Sequence, residues 1–243
     1  MSTPFRRWQA LLLPLMIFMT GLPAAEPWQN ALNQMPLGTN VHELNRTNCV
    51  DIMLHAFTSN AVVKALVFMP GATDEFYMFR RAKAVLTNEE PSLLDAVNAL
   101  TNQTLIRATF RAPLLLLHTD EDPLEPLINV EHEPTAAKLK QFHFVPHALY
   151  KDRDWDFVQP ILAKTLKADV RPWRYMYDSW HFYRHSFAAW NLTGWEALEA
   201  IALAGKTRCT VRHKTGLALK HTLLVFEGDE RVRATPKFDR FPQ

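Results

Sequence analysis

Two stretches of the chain decide its architecture: residues 92–100 read SLLDAVNAL, and residues 193–201 read TGWEALEAI. Each begins with a hydroxyl residue that is followed three positions later by a carboxylate, which is the capping-box pattern of a helix start. Apolar residues then recur at helical spacing, at Leu94, Val97 and Leu100 in the first stretch and at Trp195, Leu198 and Ile201 in the second. Both stretches are therefore predicted to be amphipathic helices.

The similarity extends upstream of both helices and indicates an internal repeat. Residues 74–80 (DEFYMFR) match residues 178–184 (DSWHFYR), with an acid, aromatic residues and an arginine at equivalent places. Two apolar triplets further upstream also match: Val50, Met53 and Leu54 with Val158, Ile161 and Leu162. Three matching blocks in the same order favour duplication of one unit, and chance similarity between amphipathic helices is the alternative.

Both copies have the same predicted order of elements: helix, strand, strand, helix, strand, strand. In the first copy, helices are predicted around Val50 and from Ser92, with strands at 62–68, 76–85, 105–110 and 114–117. In the second copy, they are predicted around Val158 and from Thr193 to Gly205, with strands at 170–177, 180–190, 207–211 and 223–226. The sequence thus predicts an α+β fold of two tandem modules, residues 38–119 and 139–230, with small sheets packed on helix pairs.

The segment between the copies, residues 120–138, is acidic and proline-rich. From Asp120 to Glu133 it contains six acidic residues and no lysine or arginine. A charge run interrupted by prolines is typical of a solvated linker, so a linker is predicted here. The polar residues 231–243 are predicted to form a flexible tail.

Residues 1–25 have the pattern of a secretory signal peptide. Arg6 and Arg7 supply the positive start, residues 10–19 form a short apolar run, and Ala24 and Ala25 offer small residues for cleavage. The run is shorter than the roughly 20 residues that a bilayer span needs, and an uncleaved membrane anchor is the alternative. The protein is therefore predicted to be exported to the periplasm or the exterior, with no stable membrane span after cleavage.

Composition narrows the possible partners and chemistry. The chain has 27 basic and 25 acidic residues, and removal of residues 1–25 takes away two arginines and no acid, which leaves 25 of each. A neutral chain lacks the basic surface that nucleic acid requires, so no nucleic-acid partner is predicted. The glycine-rich motifs of dinucleotide sites, P-loops and hydrolase elbows are absent from the sequence. Neither a cofactor nor a catalytic residue is therefore predicted.

The best candidates for metal chemistry are Asp178, His181 and His185. On a helix, two histidines four residues apart can share one zinc ion. The repeat places them on a strand instead, where four residues span about 13 Å, too far for easy shared ligation. No metal site is predicted, and an exported metal-dependent hydrolase that uses these three residues is the alternative function.

An aromatic-rich segment in the second copy is the candidate surface for a partner or ligand. Trp173, Tyr175, Trp180 and Tyr183 could stack on a sugar or a peptide. The alternative is that these rings pack in a core, because alternate residues of a strand face one.

Cys49 and Cys209 are the two cysteines of the chain. Oxidising compartments permit a disulfide between them, but its formation depends on a distance that the sequence does not reveal. The sequence therefore leaves open whether the two cysteines pair.

The repeated helix motif resembles a known family. The pattern [ST]-x-x-[DE]-Ala-[Val/Leu]-x-Ala-[Leu/Ile], followed by two short strands, is similar to the short N-terminal domain of secretins and TonB receptors, most closely over residues 193–211 and 223–226. Members of that family are periplasmic, non-catalytic docking modules that engage a partner protein. The resemblance implies an exported interaction module with an envelope protein as its partner.

Overall fold

A computed structural model describes residues 26–45, 47–58, 60–69, 83–119, 128–130, 133–141, 143–144, 148–153, 169–172, 185–205, 207–213 and 222–228. The helices are α1 (Pro27–Asn33), α2 (Cys49–Ala56), α3 (Leu93–Gln103), α4 (Glu133–Gln141) and α5 (Gly194–Ala204). The first strands are β1 (Glu43–Asn45), β2 (Ala65–Phe68), β3 (Lys83–Val85), β4 (Arg107–Arg111), β5 (Leu114–His118), β6 (Ile128–Val130) and β7 (His143–Phe144). The remaining strands are β8 (Ala148–Arg153), β9 (Asp169–Pro172), β10 (His185–Ala189), β11 (Leu192–Thr193), β12 (Thr207–His213) and β13 (Thr222–Gly228). This mixture of helices and small sheets confirms the predicted α+β class.

A five-stranded sheet with the order β4-β5-β2-β10-β8 lies at the centre of the described structure. β2 and β5 are parallel, with Ala65 opposite Leu114, and the other neighbours are antiparallel. Every residue of β2 and β5 is buried. Because successive side chains of a strand point to opposite faces, such continuous burial requires cover on both faces of the sheet.

Two separate hydrophobic clusters provide that cover. On one face, Leu66 and Phe68 of β2 pack with apolar residues of α1, α2 and α3. On the other face, Ala65 and Val67 pack with Leu139 of α4 and with the apolar residues of α5. The sheet is thus the middle layer between two groups of helices.

The two predicted modules share this sheet. β2, β4 and β5 lie within residues 38–119, whereas β8 and β10 lie within residues 139–230. The expectation that each module has its own sheet does not hold here, because the helices of residues 38–119 cover only one face of β2 and β5. The second face is covered by α4 and α5.

A four-stranded sheet, β6-β12-β13-β9, packs beyond α5. β12 and β13 are antiparallel, and the short strands β6 and β9 add to them in parallel. Cys209 of β12 belongs to the same hydrophobic cluster as α5. α5 therefore lies between two sheets, which explains why eight of its residues, from Gly194 to Ala204, are buried.

The prediction of a linker over residues 120–138 needs correction. Residues 128–130 form β6, which pairs with Cys209–Val211 of β12, and α4 begins at Glu133. The composition of the segment is acidic and proline-rich, but Ile128 and Val130 supply the apolar alternation that a strand needs.

Both predicted capping boxes are present. In α3, the Ser92 amide donates to Asp95 Oδ2 at 2.8 Å and the Asp95 amide donates to Ser92 Oγ at 3.2 Å. In α5, the Thr193 amide donates to Glu196 Oε2 at 2.7 Å and the Glu196 amide donates to Thr193 Oγ1 at 3.2 Å. The motif therefore sets the start of both helices as predicted.

Gly205 ends α5 as expected, although its backbone is right-handed, with a φ of −93°.

The described residues leave other predictions untested. The helix expected around Val158, most of the aromatic run from 76 to 85, residues 173–184 and the tail 231–243 lie outside the described residues.

Candidate functional site

The metal and aromatic candidates fall mostly outside the described residues. Asp178 and His181 lie there, as do the four aromatic residues Trp173, Tyr175, Trp180 and Tyr183. Of these candidates, the structure places His185 alone, at the start of β10 opposite Arg153 of β8. Both the metal-site alternative and the aromatic binding surface stay predictions.

A second histidine, His118, lies at the same end of the central sheet as His185. His118 is the last residue of β5, is 1% exposed, and its Nε2 lies 2.8 Å from Thr109 Oγ1 of β4. β2 separates β5 from β10, so the backbones at His118 and His185 are about 10 Å apart. Sequence reasoning missed His118, and its signal is the single polar residue at the end of the run Leu114–Leu117.

Ser186 is the other buried polar residue at this end of the sheet. It pairs with Phe68, whose side chain packs on the face covered by α1, α2 and α3. His118 follows the alternation of Leu114 and Leu116, which pack on the opposite face. The sheet therefore keeps Ser186 and His118 apart, and they do not form a nucleophile and base pair.

Both cysteines are buried free thiols. Cys49 belongs to the cluster on the α2 face of the sheet, and its Sγ lies 4.0 Å from Met53 Sδ. Cys209 belongs to the cluster on the α5 face. Burial raises the pKa of Cys49 to about 12 and also raises the pKa of Cys209. Because the sheet lies between the two clusters, no disulfide joins these cysteines.

An open groove beside α2 is the candidate binding site. Its volume is about 460 Å³. The loop after α1 forms one wall, and the outer face of α2 with the turn before it forms the other. The lining residues are Pro36, Leu37, Gly38, Thr47, Asn48, Asp51, Ile52, His55 and Ala56.

The loop wall is fixed to the start of α3. The Leu37 amide donates to the Pro91 carbonyl at 2.9 Å, and the Leu93 amide donates to the Met35 carbonyl at 2.7 Å. Gly38 has a φ of +108°, a conformation that residues other than glycine rarely adopt. This wall is therefore held by the backbone.

The helix wall is fixed by Asn48. Its Oδ1 accepts from the Asn45 amide at 2.8 Å, and its Nδ2 donates to the Glu43 carbonyl at 3.0 Å. These two hydrogen bonds tie the start of α2 to β1. One turn further along, Asp51 Oδ1 and His55 Nε2 lie 3.7 Å apart at the solvent-exposed rim.

The groove combines an apolar floor with a polar rim. Leu37 and Ile52 are half-buried and pack against the core cluster beneath them. Thr47, Asp51 and His55 supply hydrogen-bonding groups around that floor. Such a site can accept an apolar side chain and bind the polar groups beside it, as partner-binding pockets do.

The described residues contain neither a cluster of metal ligands nor a helix that could span a membrane. Among those residues, no group of three histidine, cysteine or acidic side chains is placed to hold a metal ion. None of the helices in the described ranges combines the length and apolarity needed to span a bilayer.

Comparison with known proteins finds no matching family model, no similar curated protein and no similar solved structure. The resemblance to the short N-terminal domain of secretins and TonB receptors therefore stays a prediction.

Proposed function

We propose that this protein is an exported, non-catalytic interaction module that binds a segment of an envelope protein in the groove beside α2. The observation that supports this proposal is the groove itself, with Leu37 and Ile52 as its floor and Asp51 and His55 at its rim. A volume of about 460 Å³ can hold one or two side chains of a partner.

Because both walls of the groove are fixed, we expect the partner to bind a preformed site rather than to induce one. The hydrogen bonds of Leu37 and Asn48 hold the loop and the helix before a partner arrives. A partner then loses less free energy to ordering the groove, which raises affinity for a given contact area. An apolar anchor against Ile52, surrounded by polar contacts at the rim, is the arrangement expected of a small docking site.

The proposal of export rests on the pattern of residues 1–25 and agrees with the start of the first helix. Glu26, the residue after the proposed cleavage site, is the N-cap of α1. Its amide donates to Gln29 Oε1 at 3.0 Å. Cleavage after Ala25 would therefore leave the capping residue of α1 in the mature chain.

Site-specific crosslinking tests the groove. A photoreactive residue at Ile52 is expected to yield a discrete crosslinked product in the envelope fraction, and the same residue at Asn98, an exposed position of α3, is not. Filling the groove with Ala56→Trp should abolish the product from position 52. Equal products from positions 52 and 98, or a product that persists in Ala56→Trp, would contradict the binding role.

Amino-terminal sequencing tests export separately. The protein recovered from the periplasm or the medium is expected to begin at Glu26. Retention of the full chain inside the cell, with Met1 or Ser2 at its start, would contradict export and leave the groove experiment to be judged on its own.

A further inference from the structure

The outer edge of β3 has its backbone groups directed away from β1. The two strands are antiparallel, with Glu43 opposite Val85 and Leu44 opposite Ala84. The Leu86 amide donates to the His42 carbonyl at 2.9 Å. Hydrogen-bonded and non-hydrogen-bonded pairs alternate in such a ladder, so Ala84 bonds to β1, whereas the amides and carbonyls of Lys83 and Val85 point outward.

The side chain of Gln103 occupies this edge at Val85. Gln103 Oε1 accepts from the Val85 amide at 2.9 Å, and Gln103 Nε2 donates to the Val85 carbonyl at 2.9 Å. A residue of a neighbouring antiparallel strand would make the same two hydrogen bonds. Gln103 is the last residue of α3 and is exposed, so its amide group stands where another strand could add.

One exposed apolar side chain lies on β3 itself, and another follows Gln103 in the sequence. Val85 is 50% exposed, and Leu105, two residues after Gln103, is 86% exposed. In the described part of the chain these are the large hydrophobic residues that stand out as exposed. An edge with outward backbone groups and apolar side chains invites pairing with another strand, and proteins block such edges by specific devices.

We propose that Gln103 guards the outer edge of β3, and that the strand it excludes is β3 of a second copy of this chain. The edge is self-complementary about a two-fold axis through Ala84. Lys83 of each copy would pair with Val85 of the other, which forms four reciprocal hydrogen bonds. This inference does not depend on export or on the groove beside α2.

Charge does not oppose this pairing. Lys83 Nζ lies 3.4 Å from Glu43 Oε2 of its own chain, so each copy brings a neutral pair to the contact. In the two-fold arrangement each lysine lies directly opposite a valine, and the two lysines are only diagonal neighbours. The Gln103 side chain is then the group that must leave before the strands can meet.

The oligomeric state of Gln103→Ala tests the proposal. Sedimentation velocity over a concentration series is expected to show dimers of Gln103→Ala with a dissociation constant roughly tenfold or more below that of the wild type, since two backbone groups per copy lose their partner. Asn102→Ala, at the neighbouring exposed position of α3, is the control and should behave as the wild type. Association of Gln103→Ala no stronger than that of Asn102→Ala would overturn the proposal.

A second variant identifies the contact. Adding Val85→Lys to Gln103→Ala would place two lysines opposite each other in the paired edge, and the dimer is expected to dissociate. A dimer that persists in the double variant would show that another surface mediates association, and this too would overturn the proposal. Circular dichroism melts of both variants confirm that they are folded, and Gln103→Glu, which removes the donor to the Val85 carbonyl, should give an intermediate dissociation constant.

Discussion

α3 and α5 start alike and end differently. Both begin with a reciprocal capping box, and the corresponding distances agree within 0.1 Å. In the last turn, however, α3 carries the exposed residues Asn102 and Gln103, whereas α5 carries the buried residues Leu203 and Ala204. α3 covers one face of the central sheet and meets solvent on its outer side, whereas α5 lies between two sheets. The motif sets where a helix begins, and the layers around it decide how much of it is buried.

Thiol reactivity tests the burial of the two cysteines, which lie on opposite faces of the central sheet. Cys49 and Cys209 are both fully buried, and burial raises the pKa of each thiol. Because the thiolate is the reactive form, we expect both to react with an aromatic disulfide reagent orders of magnitude more slowly in the native protein than after unfolding. Two thiols per chain should be counted in denaturant without reductant. One or none would show a disulfide.

Truncating a side chain in the last turn should lower the stability of the protein much more in α5 than in α3. Leu203→Ala removes a buried side chain of α5 and is expected to lower the free energy of unfolding by about 3 kcal/mol. Asn102→Ala, the corresponding change in α3, is expected to alter it by less than about 0.5 kcal/mol. Urea unfolding of the two variants measures the difference. Similar losses in both would mean that α5 is as exposed as α3.

Removing the capping hydroxyl should destabilise the protein equally at both helices, unlike the truncations in the last turns. Ser92→Ala and Thr193→Ala each remove a hydroxyl that accepts an amide hydrogen bond, and each is expected to cost about 1 kcal/mol. Chemical denaturation of both variants under one condition provides the comparison. A loss at one helix only would show that the shared motif has different roles in the two places.

Asp95 of α3 and Glu199 of α5 should make contributions to stability that depend on pH in opposite directions, and both contributions should be smaller than the effects above. Burial raises the pKa of Asp95, but hydrogen bonds from Ser92 and Asn88 outweigh it, so the pKa lies below its ordinary value. Burial raises the pKa of Glu199, and the nearby Arg111 offsets this only in part. Asp95 therefore adds stability above its unfolded pKa that is lost as the pH falls through its folded pKa. The contribution of Glu199 has the opposite sign: it is present below the unfolded pKa and is lost as the pH rises through the folded pKa.

The matching variants follow from these signs. At pH 7, Asp95→Asn should lower the melting temperature, and Glu199→Gln should raise it slightly. Melting curves between pH 2 and pH 7 test both, because the folded pKa of Asp95 lies below its ordinary value. A decrease for Glu199→Gln at pH 7 would mean that its attraction to Arg111 outweighs its burial.

Local patterns in the sequence predict the local elements well. The helical spacing around Val50, the two capping boxes and the apolar run at Leu114–Leu117 all correspond to elements of the structure. These features depend on residues within one or two turns, where propensity and hydrogen bonding act directly.

Pairing between distant strands was not predictable in the same way. The register of Phe187 with Val67 joins residues of the two predicted modules. An apolar run such as Ala65–Phe68 indicates a buried strand without naming its neighbours. β6 could not be predicted from the composition of residues 120–138, because the acidic residues and prolines of this segment outnumber the three residues that pair.

The groove beside α2 could not be found from the sequence either. Its walls come from residues 36–38 and 47–56, which contain no catalytic or ligand-binding motif. The conformation of Gly38 and the hydrogen bonds of Asn48 create the site, and both depend on the fold. The sequence points to the aromatic segment instead, because aromatic rings can stack on a ligand and histidines can bind a metal ion.

The most direct test of the shared sheet is the folding of residues 26–119 alone. Without α4 and α5, one face of β2 and β5 would expose Ala65, Val67, Leu114 and Leu116 to water. We expect this fragment to bind a hydrophobic dye and to unfold without a cooperative transition, whereas the chain from residue 26 to residue 230 should unfold cooperatively. A monomeric fragment with a cooperative transition and no dye binding would contradict this expectation, and would restore two modules that fold independently.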